Sequence, residues 1–544
     1  MKIKSFTIPN KNREIFIEPV YEDIPGLIDI NKERFKSYDF NINGIPFSQF
    51  RKQVRSETLK KVGEYSEKIW ALCSNMNIAG TENLSSIKDF YAPQKNIIQT
   101  GHSPALAHPG AAIKHSLVNS IAKKSNGVGI NMVVDNDAGN DNCLSIPDIN
   151  SLGSSVERME YHPGLRNLAF EEIRYADLTQ LSTLKERVLK SVHDPDMKKT
   201  FEDFINIAIT LSEETLQFSD LFTFARHAFL TRFEINNQEV PVSHISETDP
   251  FLNFFLHITA NLKCFVGVYN AKLREYRKLK KISSKANPLP DLMEKGFVVE
   301  MPFWMWKRNE ARKSLFASVA NESRISIICE NKVVEHFDFG ERNRSTKNME
   351  RLKTLISNGI KIRPKAIANT MYSRLFFSDL FVHGIGGAKY DLITDKIIRE
   401  FFGVEPPEYA TISATLHLPY KPFDVSGEDI TKLKHVIKDM GYNPDRYASG
   451  EIMEDAGMIS LINEKNDLIA KTSHDSKEKH LTFDRIKQLN GLMKGKIRPL
   501  IKRKEKEMKE LERKLSSNAI VTNRGYPFCI YPESMLEELF RLRI

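Results

Sequence analysis

The sequence predicts an α/β protein: a Rossmann-like parallel sheet core, interrupted by a large, mostly helical insertion and followed by a C-terminal helical hairpin or coiled coil. Three observations predict it. Short apolar runs at Asn96–Thr100 and Gly129–Val134 flank a glycine-bearing loop and a helical pattern, the shape of a right-handed βαβ unit. A second strand–glycine–helix–strand pattern, Asp379 to Leu416, comes about two hundred residues later. Near the end, Ile486, Leu489, Met493, Ile497, Leu500, Met508, Leu511 and Leu515 recur at helical spacing.

The elements follow in order. Residues 1–95 are expected to pack on the core, whose first part is 96–155. In the first part, Ile113, Leu117 and Ile121 mark one face of the helix that follows the loop. The insertion spans 156–360. There Phe201, Phe204, Ile205, Ala208, Ile209 and Leu211 repeat helically, and Thr248-Asp249-Pro250 opens a run read as one buried helix from Phe251 to Val268. Arg324–Cys329 and Val333–Phe337 form a hairpin. Core residues return at 361–420, with strands at Asp379–His383 and Glu408–Leu416 around a helix through Ile393, Ile397, Ile398 and Phe401. Residues 421–544 are the C-terminal helices and tail, kinked at Pro499, with an antiparallel partner around Met458–Ile469. Such seams join two subunits, so a homodimer is expected.

Composition narrows the class. The 544 residues carry a net charge of +9, but Lys272–Lys285 and Lys494–Lys514 each contribute +6, leaving the remainder slightly acidic. That pattern reads as two solvated helical faces rather than a nucleic-acid surface; RNA binding through the basic helices is the rival reading. No run approaches the roughly 20 apolar residues of a membrane span. The five cysteines form no CxxC pair, which points to a reducing compartment, the cytoplasm.

In an open parallel sheet, ligands bind beyond the carboxyl ends of the strands. Three loops leave such ends. The first carries Thr100, Gly101, His102, His108 and Gly110, with Lys114 one turn into the helix. Glycines admit a ligand to the backbone, a helix N-terminus favours an anion, and two histidines suit anion contact or proton shuttling. The second is Asp135-Asn136-Asp137, placed for general-base work or for clamping an amine. The third runs His383, Gly384, Ile385, Gly386, Gly387, Ala388, Lys389, Tyr390, Asp391. The catalytic set expected is His102, His108, Asp135 and Asp137, with the other polar and glycine residues of these loops binding substrate. A metal held by His102, His108, Asp137 and His383 is the alternative. Cys143, and the aromatic run Glu300–Trp306, are weaker signals that read first as buried structure.

These loops resemble those of the bacillithiol-synthesis cysteine-adding enzymes. Members carry a TGxQ loop followed by Gly-Pro and a helical Lys, similar to Thr100, Gly101, the reversed Pro109-Gly110, and Lys114 here. Their second strand ends in an acidic run, as at Asp135–Asp137, and their late Gly-Pro-Gly-Glu loop with its Tyr is similar to Gly384–Tyr390. His102-Ser103 stands where the family has a glutamine pair, and Ala388-Lys389 replaces its acidic position. The resemblance implies a Rossmann-like core, a dimerising coiled coil, and ligase activity joining an amino acid such as cysteine to an amine-bearing sugar conjugate. The layout is also similar to class I nucleotidyl-transferring enzymes, in which loop histidines hold phosphates, so a nucleotide such as ATP or ADP is the cofactor expected.

Overall fold

A computed structural model describes residues 6–75, 95–150, 153–164, 167–321, 323–340, 344–471 and 476–541. The chain forms two units. The first comprises 1–148, 156–417 and 524–544; the second comprises 149–155 and 418–523.

The first unit is mixed α/β. Its central sheet has six strands in the order Ile15–Glu18, Tyr409–Ala414, Leu380–His383, Asn96–His102, Gly127–Val133, Gln238–Pro241. The last five are mutually parallel, and only the N-terminal edge strand runs antiparallel. Two strands, Gly127–Val133 and Gln238–Pro241, therefore build outward on one side of Asn96–His102, and the chain then returns to build the other side. The direction of winding reverses between Asn96–His102 and Leu380–His383, paired through Val382 and Thr100. Thr100 Oγ1 donates to the Val382 carbonyl at 2.8 Å and fastens this junction from within.

The sheet holds a strand that the sequence concealed. Gln238–Pro241 lies inside the expected helical insertion, where the sequence reading placed no strand at these residues. It is buried throughout because Glu239 has dedicated partners: Arg226 Nη2 at 2.8 Å and Asn131 Nδ2 at 2.5 Å. Burial of a charge is tolerable when it is paired in this way.

The helix Pro109–Lys124 covers one face of the sheet with Ile113, Leu117 and Ile121 fully buried. Gly110 sets how close it lies. A Cβ there would stand 2.0 Å from the Ala414 carbonyl oxygen, so only glycine admits this approach. On the other side, the helix Phe47–Asn75, the helix Ile385–Phe401 and an aromatic cluster including Phe50, Phe254, Tyr372 and Phe376 form the core. The run expected as one helix is two, Asp249–Ala260 and Leu262–Lys280, bent by 83°. Asn261 Nδ2, at the break, caps the His257 carbonyl and so competes with helix continuation. Among the described residues no single helix is long and apolar enough to cross a membrane.

The expected hairpin belongs to a larger antiparallel sheet, Lys332–Asp338, Arg324–Cys329, Lys313–Asn321, Val298–Lys307 and Ile360–Pro364. The aromatic run Glu300–Trp306 is one of its strands. Met301, Phe303, Met305 and Trp306 are buried, which makes it core.

The second unit holds the helices Gly427–Tyr442, Ala456–Ala470, Ser476–Lys496 and Arg498–Val521. Met440, Met458, Leu489, Met493, Ile497 and Ile501 form its buried seam. The long helix breaks at Ile497, which places Pro499 in the first turn of the next helix, where its missing N–H costs nothing. The tail does not stay with these helices. From Arg524 onward it belongs to the first unit, where Tyr526, Phe528 and Tyr531 are buried.

Candidate functional site at the winding reversal

The His102 turn and the His383–Asp391 turn leave adjacent parallel strands, so the reversal brings them side by side at the carboxyl edge of the sheet. Lys114 bridges them. It is only 5% exposed, Nζ donates to the Gly101 carbonyl at 2.7 Å, and its Cδ lies 3.7 Å from where a Cβ on Gly384 would be. Its position six residues into the helix lets the side chain fold back towards the helix N-terminus and the turn. Among the described residues no carboxylate pairs with it. Burial, reinforced by the like charge of Arg226, pushes the amine down to about 7.

The two loop histidines stay neutral. Burial and the neighbouring Lys114 push His102 down to about 3, and its Nδ1 lies 3.1 Å from the Ser103 carbonyl. His108 caps the helix Pro109–Lys124, with burial and then Arg524 pushing it down to about 4; its Nδ1 is buried with no hydrogen-bond partner. Imidazoles this weakly basic do not suit the proton shuttling near neutral pH expected of them. They remain neutral donors and acceptors. His115, which the sequence reading passed over, is buried beside Lys114 and Arg226 and is pushed well down.

The acidic turn divides. Asp135 is buried, and its carboxylate accepts from the Ser243 N–H at 3.0 Å and the Ser243 hydroxyl at 2.5 Å. Burial, with Glu171 nearby, lifts it to about 7. Asn136 is also buried and holds the Pro364 carbonyl at 2.8 Å. Asp137 is exposed, pairs with Arg312 at 3.0 Å, and lies within electrostatic reach of Tyr390.

In the third turn, His383 is buried with Nε2 2.6 Å from Asp391 Oδ2, an oxygen that also receives Arg374 Nη1 at 2.7 Å. Burial opposes ionisation of Asp391, but Arg374 and His383 outweigh it and hold the carboxyl well below the usual range. Asp391 is thus an internal anchor and not a ligand group. Gly387 keeps this anchor in place, since a Cβ there would stand 2.8 Å from His383 Nδ1. Gly386 and Lys389 are exposed. His102, His108, Asp137 and His383 do not assemble as metal ligands: His383 is turned to Asp391 and Asp137 to Arg312. Among the described residues no group of three or more His, Cys, Asp or Glu side chains is placed to hold a metal ion.

No family model and no curated protein sequence matches the chain. The site therefore rests on its own geometry. Two features of it lay outside the sequence reading. One is the buried pair Arg226–Glu239, with His227 Nδ1 at 3.7 Å from the same carboxylate. The other is the C-terminal tail: the Phe528 N–H donates to the Ala107 carbonyl at 2.8 Å and so pins the His108 loop. A chain separation of over four hundred residues hid that contact from any local pattern. Two open hollows, about 680 and 480 Å³, lie at the opposite edge of the sheet or along the helix Phe47–Asn75. Arg51 and Arg55 line both. Asp379, which enters the smaller hollow, is neutralised by those two arginines.

Proposed function

We propose that this chain is a cytoplasmic enzyme of the ligase type, forming a carbon–nitrogen bond between a small cysteine-like amino acid and an amine-bearing acceptor. One observation carries the reading. Lys114 is a buried amine without a carboxylate partner, poised at about 7, at the point of a parallel sheet where its winding reverses. Switch points of this kind are where doubly wound sheets bind ligands, and a Rossmann-like core is the fold we assign. A buried lysine titrating at neutrality is a group matched to proton transfer.

The chemistry follows from the residues. An amine attacking a carboxyl carbon must lose a proton as the carbon–nitrogen bond forms. Neutral Lys114 Nζ accepts that proton. Asp135 is already engaged by Ser243 and Asp137 by Arg312, which leaves Lys114 as the unpaired base. Gly386, exposed at the start of the helix Ile385–Phe401, offers backbone to a developing negative charge. A nucleotide such as ATP or ADP is the cofactor we propose; ATP would activate the carboxyl by phosphoryl transfer, so that the displaced carboxyl oxygen leaves with phosphate as the carbon–nitrogen bond forms. The unpartnered His108 Nδ1 at a helix N-terminus fits a phosphate oxygen. His102, Thr100, Gly101, Gly384 and Tyr390 shape the crevice around these groups.

The unpaired cysteines agree with a reducing compartment. Exposed Leu481, Phe483, Leu492 and Ile469 on the second unit's helices suit the expected homodimer, which sedimentation would reveal.

The deciding experiment supplies the purified chain with cysteine, an aminosugar conjugate and ATP, and follows a product one water lighter than the two substrates combined. Wild-type protein should form it, and Lys114→Met should lose ~100-fold or more in rate with a melting temperature no lower than that of wild-type. Full activity in Lys114→Met removes Lys114 from the mechanism. Absence of any such product with wild-type protein removes the ligase reading.

A further inference from the structure

The N-terminal turn of the helix Pro109–Lys124 carries a second cation that the reaction above does not use. Arg524, delivered by the tail, lies against this turn: a Cβ on Gly110 would be 2.4 Å from its Nη2. That nitrogen donates to Ser413 Oγ at 2.9 Å, and Ser413 Oγ in turn donates to the Gly110 carbonyl at 3.1 Å. The other nitrogen, Nη1, is buried with no hydrogen-bond partner. His108, whose Nδ1 is likewise buried and unpartnered, is close enough for Arg524 to depress its basicity. Among the described residues no carboxylate pairs with Arg524.

A guanidinium at the positive end of a helix is unfavourable by itself. The helix terminus already behaves as about half a positive charge, and cations there are repelled. Folding nevertheless brings Arg524 to it, and the tail that carries Arg524 is anchored by buried Phe528 and Tyr531. Two idle buried polar atoms from segments four hundred residues apart face the same turn, next to an uncompensated lysine. That arrangement lacks an anion.

We propose that Arg524, His108 and the first turn of the helix Pro109–Lys124 form a phosphate subsite, with Lys114 at its inner edge. The inference rests on the reading above and adds to it Arg524, the residue that selects phosphate over carboxylate at this turn. Phosphate is favoured over carboxylate by charge. Arg524, the helix terminus and partly protonated Lys114 together present about two positive charges, which match a phosphate at about −2 better than a carboxylate at −1. Arginine also offers phosphate paired donors in a planar fork. Neutral His108 can donate one further hydrogen bond without being protonated.

Calorimetric titration of the full-length chain with inorganic phosphate, then with ADP, tests this without reference to turnover. Both should bind wild-type protein. Arg524→Gln should weaken both by ~10-fold or more, as expected for loss of a charge-assisted hydrogen bond, and Arg524→Lys should restore part of the loss. Acetate should not compete at concentrations where phosphate saturates. Unchanged binding in folded Arg524→Gln, or no phosphate or ADP binding by wild-type protein, overturns the subsite. Equal competition by acetate overturns its phosphate class. Each of these outcomes is independent of whether the condensation product forms, so the subsite and the ligase reading fail separately.

Discussion

The amine of Lys114 and the carbonyl of Gly101 are joined by a 2.7 Å hydrogen bond across the base of the first loop. The contact holds a lysine inside the protein at the cost of its charge: burial and Arg226 push it from 10.5 down to about 7. The unfolded chain would keep the proton to 10.5, so between pH 7 and 10.5 the unfolded state binds more protons than the folded one. Stability from this group therefore rises with pH across that window, and below pH 7 its cost is paid in full. Urea unfolding of wild-type and Lys114→Met proteins at pH 7 and pH 10 should show it. The wild-type protein should gain on the order of 3–5 kcal/mol more than the variant. Equal pH dependence in the two proteins would mean that Lys114 is charged in the fold.

Asp135 should behave in the opposite sense. Burial, with Glu171, lifts it from 3.8 to about 7, so the folded state binds the extra proton between those values. Its contribution is present below pH 3.8 and is lost as pH rises towards 7. Asp135→Asn keeps the shape and removes the titration. The variant should lose less stability than wild-type between pH 4 and 7, measured by chemical denaturation.

The glycines of the late turn are not equivalent. A Cβ on Gly386 meets nothing within 4 Å, whereas one on Gly387 would stand 2.8 Å from His383 Nδ1. Gly387→Ala must displace a buried imidazole tied to Asp391 and should cost roughly 1–3 kcal/mol, the range for overpacking. Gly386→Ala should fall within about 0.5 kcal/mol of wild-type. Thermal unfolding of the two variants separates them, and equal losses would contradict the geometry.

Gly110→Ala should be the most damaging single methyl in the core. The added carbon would lie 2.0 Å from the Ala414 carbonyl oxygen, which is backbone and cannot rotate away. The helix Pro109–Lys124 would have to lift off the strand Tyr409–Ala414. We expect a loss of about 4 kcal/mol or more, read as soluble yield and melting temperature.

Asp391 anchors Arg374 and His383 while fully buried. Asp391→Ala strands a buried guanidinium and should cost about 3–5 kcal/mol. Asp391→Asn, which still accepts hydrogen bonds, should cost less. A neutral outcome for Asp391→Ala in denaturant unfolding would show that Asp395, 2.7 Å from Arg374 Nη2, suffices alone.

Strand and helix types were legible wherever a period ran long enough. Gly127–Val133 is buried on both faces and so is nearly continuous in apolar residues, Asn131 excepted, and Leu489, Met493 and Ile497 recur at helical spacing and form a buried seam. Where the period failed, so did the reading. Gln238–Pro241 is a strand because Glu239 finds Arg226 and Asn131 across the fold, and Asn261 divides a continuous apolar run by capping a carbonyl.

By itself the sequence determined where the loops leaving the strand ends lie, because the glycines, histidines and lysine that mark them leave a local pattern. Tertiary structure decided what each does. Charge and basicity depend on burial and on neighbours hundreds of residues away: His102 is neutral, Lys114 titrates at neutrality, Asp391 is an anchor, and Arg524 arrives from the far end of the chain. Electrostatic energy is set by distance in space, and no spacing along the chain encodes that.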